Sequence, residues 1–577
     1  MFEIKGKDFL LDGEPFTVRS GAVHYFRILP EYWRDRLTKL KLAGFNTVET
    51  YICWNLHEPQ KGSFNFSGML DFERFLDISA KLGLCAIVRP SPYICAEFDF
   101  GGLPSWLLAD RTIRLRCSDE RYLAHVEDYY RELMPRLVPH QIGHGGNVIM
   151  MQVENEYGSF GNDSAYLRSL AEMMRDLGIT VPLFTSDGTD DGMLTGGTLP
   201  ELLKTANFGS HTSDNLAKLR AFAPNEPLMC MEFWNGWFDH WGETHCTRSA
   251  DEIAHELKSF LDLGASFNFY MFCGGTNFAF TAGANHDGCY SPTVTSYDYD
   301  ALLTEWGDYT PKYHVVRRLL HKHLGIKKEQ LPPPPMLQHI GKVYFTHSAS
   351  FIDQARNVGA IQKSLEPMTM EEMGQWHGYI LYRTVLGGAY SAGTITVDGL
   401  CDRAHVFLDG QLLGTVYRGD GTCSLPFPGV SHHGATLEIF AESLGRVNYG
   451  HEIYDRKGIA GARINGQRLF YWENIAIGKE TLKDLSFTAG TDAKLPAIFR
   501  GTFHTDSRDD CFIHPTGFTN GIILVNGFNL GRYREIGPQR SLYLPGAILK
   551  KENTVEIVEL DCITHPTAEI TDKHDLG

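Results

Sequence analysis

Over the first 325 residues of this 577-residue chain, short apolar runs alternate with stretches of helical period, and no other feature limits the fold as much. The strand-like runs are FTVRSGAVHY (16–25), FNTVETYICW (45–54), LCAIVRPSPY (84–93), VIMMQVENEY (148–157), PLFTSDG (182–188), TANFGSH (205–211), PLMCMEFW (227–234) and ASFNFYMFCGG (265–275). Between them, EYWRDRLTKLKLAG and DFERFLDISAKLG end in Gly44 and Gly83, residues that stop helices. Ser249 and Glu252 have the spacing of a capping box at the start of ADEIAHELKSFLDLG. Eight strand–helix units predict a (β/α)8 TIM barrel rather than an open doubly wound sheet. No GxGxxG follows the first strand, which argues against a dinucleotide site.

The pattern changes at LPPPP (331–335), a stiff extended linker. Beyond it, short alternating strands are separated by Gly, Asp and Asn turns, as in β-sandwiches. HVFLDGQLLG (405–414) matches IILVNGFNLG (522–531), each with a hairpin dipeptide, and TLEIFAE (436–442) matches TVEIVEL (554–560) further on. Such a repeat predicts two related, jelly-roll-like sandwiches. The expected organisation is therefore a multidomain α/β plus all-β chain. Its parts are a catalytic barrel (1–330), a proline-rich linker with strands joining the C-terminal β region (331–377), a first β-sandwich (378–480) and a second (481–577).

A net charge of −17 argues against nucleic acid or an anionic membrane as partner. No apolar run reaches about eighteen residues, so no membrane span is expected. The N-terminal MFEIKGKDFLLDGEPF lacks the basic and apolar segments of a signal peptide. The twelve cysteines form no CxxC pair, and Cys53, Cys85 and Cys273 lie inside apolar runs. Buried thiols in a reducing cytoplasm are the expectation. The histidines show no HExxH or similar spacing, so neither a metal nor another cofactor is expected.

The segment MQVENEYGSF (151–160) is an apolar strand running into two glutamates, and burying unpartnered carboxylates is costly. Barrel enzymes place their chemistry at the C-terminal strand ends. Glu156 ends the fourth strand and Glu232 the seventh, while Glu97 follows the third and Tyr299 the eighth. Tyr51, Trp54, Trp234, Trp237 and Tyr270 are expected around the same mouth. Any one glutamate alone is more simply a solvated strand end. The set, at equivalent barrel positions among aromatic rings, points instead to sugar chemistry with two carboxyl groups cleaving a glycosidic bond.

Longer motifs carry a resemblance. SGAVHYFRILPEYWRDRL, ETYICWNLHEP, RPSPYICAEFDFGGLPSWLL, QVENEYGSF, MEFWNGWFDHWG, FCGGTNF and TSYDYDA, with ESLGRVNYG and NGFNLGRY in the tail, resemble glycoside hydrolase family 35, the β-galactosidases, of the bacterial intracellular type. One departure is Asn147, where the family usually has proline.

The resemblance implies a retaining exo-hydrolase releasing terminal β-galactose from oligosaccharides. Glu232 is then the nucleophile, Glu156 the acid/base, and Asn155 the partner of the 2-hydroxyl. Tyr51, Cys95, Ala96, Glu97 and Tyr299 surround the galactose, and Tyr270 lies beside the nucleophile. Glu154 has only a supporting role. The last sandwich is implied to be galactose-binding-like, and a homodimer is compatible with this reading. Trp234 and Trp237, with Tyr449 of RVNYG (446–450), are expected on the acceptor side, where an aromatic wall favours β-1,3 linkages. Two alternatives stay open: an exo-glycosidase for another terminal sugar such as β-glucosamine, and a catalytically silent carbohydrate-binding protein.

Overall fold

The eight apolar runs form eight parallel strands in a computed structural model that describes all residues except 328, 420–422 and 479–484. They are β1 (Arg19–Val23), β2 (Thr47–Tyr51), β3 (Cys85–Arg89), β4 (Val148–Gln152), β5 (Leu183–Asp187), β6 (Leu203–Phe208), β7 (Met229–Trp234) and β8 (Ser266–Cys273). Each strand pairs with its neighbours in sequence, and β8 pairs with β1, so the sheet closes without an edge. Register sets Tyr51 of β2 level with Arg89 of β3, and Trp234 of β7 level with Tyr270 of β8. Tyr51, Arg89 and Trp234 are the last residues of their strands and Tyr270 lies in the second half of its own, so these positions share one end of the barrel.

The opposite end is plugged. A small antiparallel sheet (Phe2–Lys5, Asp8–Leu11, Glu14–Pro15) packs Phe2 and Phe9 with Ile87, Met150, Phe184 and Met231. Helices cover the outside, with the punctuation read from the sequence. Glu252 N–H donates to Ser249 Oγ (3.2 Å) while Ser249 N–H donates to Glu252 Oε2 (3.1 Å), a complete capping box. Gly44 and Gly83 follow their helices at φ of 103° and 72°, where a Cβ would be strained. Asn147, in place of the expected proline, donates to Ser79 Oγ (2.7 Å) and Leu84 O (2.9 Å) at the base of β4.

The internal repeat corresponds to a repeated piece of sheet. Arg403–Leu408 pairs with Gln411–Tyr417 across Asp409-Gly410, and Asn520–Val525 pairs with Phe528–Arg534 across Asn526-Gly527. All four turn residues have positive φ, as a two-residue hairpin turn demands. Both hairpins sit at a sheet edge with a register shift at the same place, and Thr436–Glu442 and Glu552–Glu559 pair with the inner strand of each.

After the prolines, Gly341–Ser350 enters the last sheet between Ala497–His504 and Thr567–Thr571, whereas Ile361–Ser364 joins the other β domain beside Trp472–Ile477. The linker region therefore gives a strand to each. The boundary expected at 480/481 lies outside the described residues.

The two β domains and the barrel meet in one apolar cluster that includes Phe280, Phe351, Tyr379, Phe440, Ile498 and Val558. Phe351 stands edge-on to Tyr379 (centroids 5.4 Å apart) and Phe440 (5.8 Å). Phe351→Ala should leave a cavity costing about 3–5 kcal/mol. A clear drop in the thermal midpoint is expected; an unchanged midpoint would show that the cluster contributes little to holding the domains together.

Candidate active site

Strand β4 stops at Gln152, and the chain leaves the barrel through Val153, Glu154, Asn155 and Glu156. Glu154 and Glu156 have φ of 55° and 48°. Left-handed backbone at non-glycine residues costs of order 1–3 kcal/mol each and persists only where the surroundings fix it. The effect is to separate the two glutamates. Glu154 is fully buried and bound by Arg116 through two parallel contacts of 2.9 Å, with Tyr166 donating at 3.1 Å. Arg116 also donates to Asn155 O (2.8 Å), so this buried pair fixes the turn. Glu156 faces the mouth and accepts from Asn207 Nδ2 (3.1 Å), whose own oxygen is held by Ser186 Oγ (2.5 Å).

Glu232 reaches the same space from β7. The β7 register shifts between Cys230 and Glu232 against β6, and between Cys230 and Phe233 against β8, an irregularity of the kind that re-aims a side chain. Its Oε1 accepts from Tyr51 (2.7 Å) and from Arg89 Nη2 (2.6 Å), and its Oε2 from Trp234 Nε1 (3.1 Å). Arg89 and Tyr51 also donate to Asn155 Oδ1, at 2.6 and 3.0 Å.

The third wall follows β3. Cys95, Ala96 and Glu97 have φ of 56°, 55° and 48°, three left-handed residues in a row. Arg27 donates to Ala96 O, Gly283 N–H to Glu97 O, and Tyr297 to Glu97 Oε2 (2.5 Å). Tyr299, also at positive φ, stands edge-on to Tyr270 with centroids 5.5 Å apart.

These side chains enclose a cavity of about 200 Å³, smaller than the roughly 300–1,000 Å³ of typical small-molecule sites. It suits one small polar ring. Tyr51, Cys95, Ala96, Glu97, Asn155, Glu156, Glu232, Trp234, Trp237, Tyr270 and Tyr299 all line it, as does Tyr449 from the first β domain. Trp54 does not. It is buried, stacked on Tyr129 at 4.9 Å and donating to Glu58, because the short helix after β2 turns it into the core.

Sequence reasoning missed Arg89, Asn207 and Tyr297, which orient the carboxylates, and Asn285, which lines the rim. Arg89 and Asn207 obey the rule that exposed the glutamates: each is a polar residue near the C-terminal end of an apolar strand. Among the described residues, Cys401, Asp402 and Asp455 bring three potential metal ligands together away from this cavity. Both carboxylates there are already paired with Lys457 and Arg418.

The profile of "Glycosyl hydrolases family 35" matches residues 8–323, "Beta-galactosidase, first all-beta domain" matches 367–478, and "Beta-galactosidase, galactose-binding domain" matches 496–554. The chain belongs to glycosyl hydrolase family 35. It is 41% identical to "Beta-galactosidase" of Bos taurus, over 96% of this chain and 89% of that protein. Against "Beta-galactosidase" of Homo sapiens it is 40% identical over 97% of this chain and 87% of the other. Against "Beta-galactosidase-1-like protein 2" of Homo sapiens the identity is 40% over 100% and 92%.

In this family 35 hydrolase the mouth carboxyls differ in electrostatic setting. Burial, and then the charge of Glu232, push the Glu156 carboxyl well above the ordinary carboxylate range. Burial pushes Glu97 up to about 7, against the lowering by its Tyr297 hydrogen bond and by Arg27. Glu232, by contrast, lies against the Arg89 guanidinium.

The Arg116–Glu154 pair gives a direct test of the supporting role. Glu154→Gln keeps the shape but leaves Arg116 as an uncompensated buried charge, at a cost of about 3–5 kcal/mol. A lowered thermal midpoint together with reduced kcat is expected. A variant as stable and active as the parent would show that the pair does not hold the turn.

Proposed function

We propose that this enzyme is an exo-acting, retaining β-galactosidase with Glu232 as nucleophile and Glu156 as acid/base. The observation that carries the proposal is the unlike setting of two carboxyls facing one ring-sized cavity. A carboxyl whose pKa is raised is the one suited to act as the acid of a pair. Glu232, with a guanidinium, a phenol and an indole donating to it, suits a carboxylate nucleophile. Glu156, with one neutral amide donor and a raised pKa, suits an acid that holds its proton at neutral pH.

In the first step a Glu232 oxygen bonds to the anomeric carbon as the glycosidic C–O bond breaks, and Glu156 gives its proton to the departing oxygen. In the second, Glu156 takes a proton from water, whose oxygen displaces Glu232 and restores the starting configuration. Asn155 donates to the 2-hydroxyl in this reading, and Tyr51, Cys95, Ala96, Glu97 and Tyr299 surround the galactose beside Tyr270. Galactose as the sugar is supported by the "Beta-galactosidase" relatives at 40–41% identity. Exo action is supported by a cavity sized for one ring and by the plugged far end of the barrel. Buried free thiols at Cys53, Cys95, Cys230, Cys273 and Cys511 suit the reducing cytoplasm we propose as its setting.

Glu232→Gln should abolish turnover of every β-galactoside, because no covalent intermediate forms. Glu156→Gln should still release a dinitrophenol in the first step, and azide should rescue the second. In the parent, kcat/KM should fall as pH rises through the raised pKa of Glu156, since the first step needs its proton; the variant should lose that basic limb. Proton NMR should show β-galactose as the first product. Equal, unrescued losses, or an α-anomer first, would overturn the roles.

We further propose a preference for β-1,3 over β-1,4 linkages. Trp234 and Trp237 pack edge-on, 5.5 Å apart, and Trp237 and Tyr449 are 41% and 37% exposed at the rim. Such an aromatic wall favours a leaving sugar that bends away from the galactose. The discrimination should be about 1–3 kcal/mol. Comparing kcat/KM for galactosyl-β-1,3-N-acetylglucosamine and lactose, in the parent and in Trp237→Ala, tests it. A parent favouring lactose, or an unchanged ratio in the variant, would remove the proposal.

A further inference from the structure

We propose that Asn285 is the polar specificity determinant for the departing sugar, and that His240 and Glu243 position its amide. The inference rests on the β-galactosidase reading and concerns the leaving group, which that reading describes only by its aromatic wall.

Asn285 lines the cavity from the hairpin Ala284–His286/Tyr290–Pro292. That hairpin is fastened on both sides. Toward the loop after β7, Trp241 N–H donates to Pro292 O (3.0 Å) and Val294 N–H to Asp239 O (3.0 Å), with His240 bridging to Thr293. Toward the first β domain, Ala284 N–H donates to Arg446 O (3.0 Å) and Asn448 N–H to Ala284 O (2.9 Å). The backbone of Asn285 is therefore fixed between the segments that carry Trp237 and Tyr449.

Its side chain is fixed as well. His240 Nε2 lies 3.0 Å from Asn285 Oδ1, and His240 Nδ1 lies 3.0 Å from Glu243 Oε2. The imidazole is only 15% exposed, so the chain Glu243–His240–Asn285 is sheltered at its centre. One end of the amide is engaged by the ring, and the other end is left for the cavity that Asn285 lines.

Around it stand Trp237, Phe238 and Tyr449. Aromatic faces select the outline of a sugar and discriminate weakly among hydroxyl arrangements. A held amide discriminates more strongly, because a leaving sugar without a matching hydrogen-bonding group there leaves it unpaired. Asn285 thus reads a hydrogen-bonding group, hydroxyl or N-acetyl amide, on the departing sugar. His240 and Glu243 touch no substrate and act through it.

The test compares galactosyl-β-1,3-N-acetylglucosamine with β-galactosyl fluoride, whose leaving group fills no sugar subsite. Asn285→Ala should lower kcat/KM for the disaccharide roughly tenfold more than for the fluoride, the worth of one hydrogen bond. His240→Ala should shift the ratio the same way by less. The double variant should match Asn285→Ala alone, since a positioning residue has nothing left to position. Equal losses on both substrates, or additive losses in the double variant, would overturn the proposal while leaving the β-galactosidase reading intact. A parent that hydrolyses neither substrate would overturn both. Galactosyl-β-1,3-glucose, which lacks the N-acetyl group, separates the two groups: a ratio that persists assigns the hydroxyl, and one that vanishes assigns the N-acetyl amide.

Discussion

Arg89 reaches the centre of the barrel mouth from the end of β3 with its side chain fully buried, and there it meets Glu232 at 2.6 Å, Asn155 at 2.6 Å, Gln152, and Glu49 at 3.8 Å. A buried guanidinium is tolerable only where its charge is matched and most of its donors are used. Matching it requires a carboxylate at the end of β7 and amides on the segment after β4. The charge therefore couples strands that are not neighbours in the sheet. Its plane also lies 4.0 Å from the ring of Tyr51, which donates to the same two acceptors. Removing the guanidinium would leave the carboxyls of Glu49 and Glu232 facing each other across β2 and β7 without their shared partner.

Around that centre the backbone is held in costly shapes. Cys95, Ala96, Glu97, Glu154, Glu156 and Tyr299 all adopt left-handed φ, and each lines the mouth or turns the chain into it. What fixes them comes partly from outside the barrel. The first β domain sends RVNYG across the rim: Arg446 pairs with Asp99 and with Glu371, Asn448 O accepts from Tyr93, and Asn448 Nδ2 reaches Cys95 Sγ at 3.5 Å. The β domain thus packs on the barrel and also props one of the strained walls.

Much of this was legible in the sequence because it follows from periodicity. All eight strands and the capping box of Ser249 arose from local patterns, and a strand end in a closed barrel has only one place to go. Of the thirteen residues expected at the mouth, twelve line it, those at strand ends for that reason and the others because they follow such ends or, like Tyr449, are brought there by the first β domain. Trp54 failed because the residues after β2 form a helix rather than a loop, and helical rotation turned an aromatic near a strand end into the core. Arg89 was passed over since an arginine ending an apolar run reads as a solvated charge, and only three-dimensional closure reveals its partners. Asn285 had no local signal at all: it belongs to no strand of the barrel, and its role depends on two segments, 45 residues earlier and some 160 later, meeting at its hairpin.

The separation of Glu154 from Glu156 shows how one short sequence yields two opposite electrostatic outcomes. Glu154 is buried and Glu156 half-buried, and their partners differ. Arg116 gives Glu154 a bidentate counter-charge, whereas Glu156 accepts from a neutral amide beside a like-charged neighbour, and the more distant Arg89 offsets this in part. The left-handed turns at both glutamates send their side chains into these different surroundings, so the backbone strain and the proton affinity of Glu156 have a common origin. Strain in the chain is in this sense the source of the chemical difference between these two glutamates.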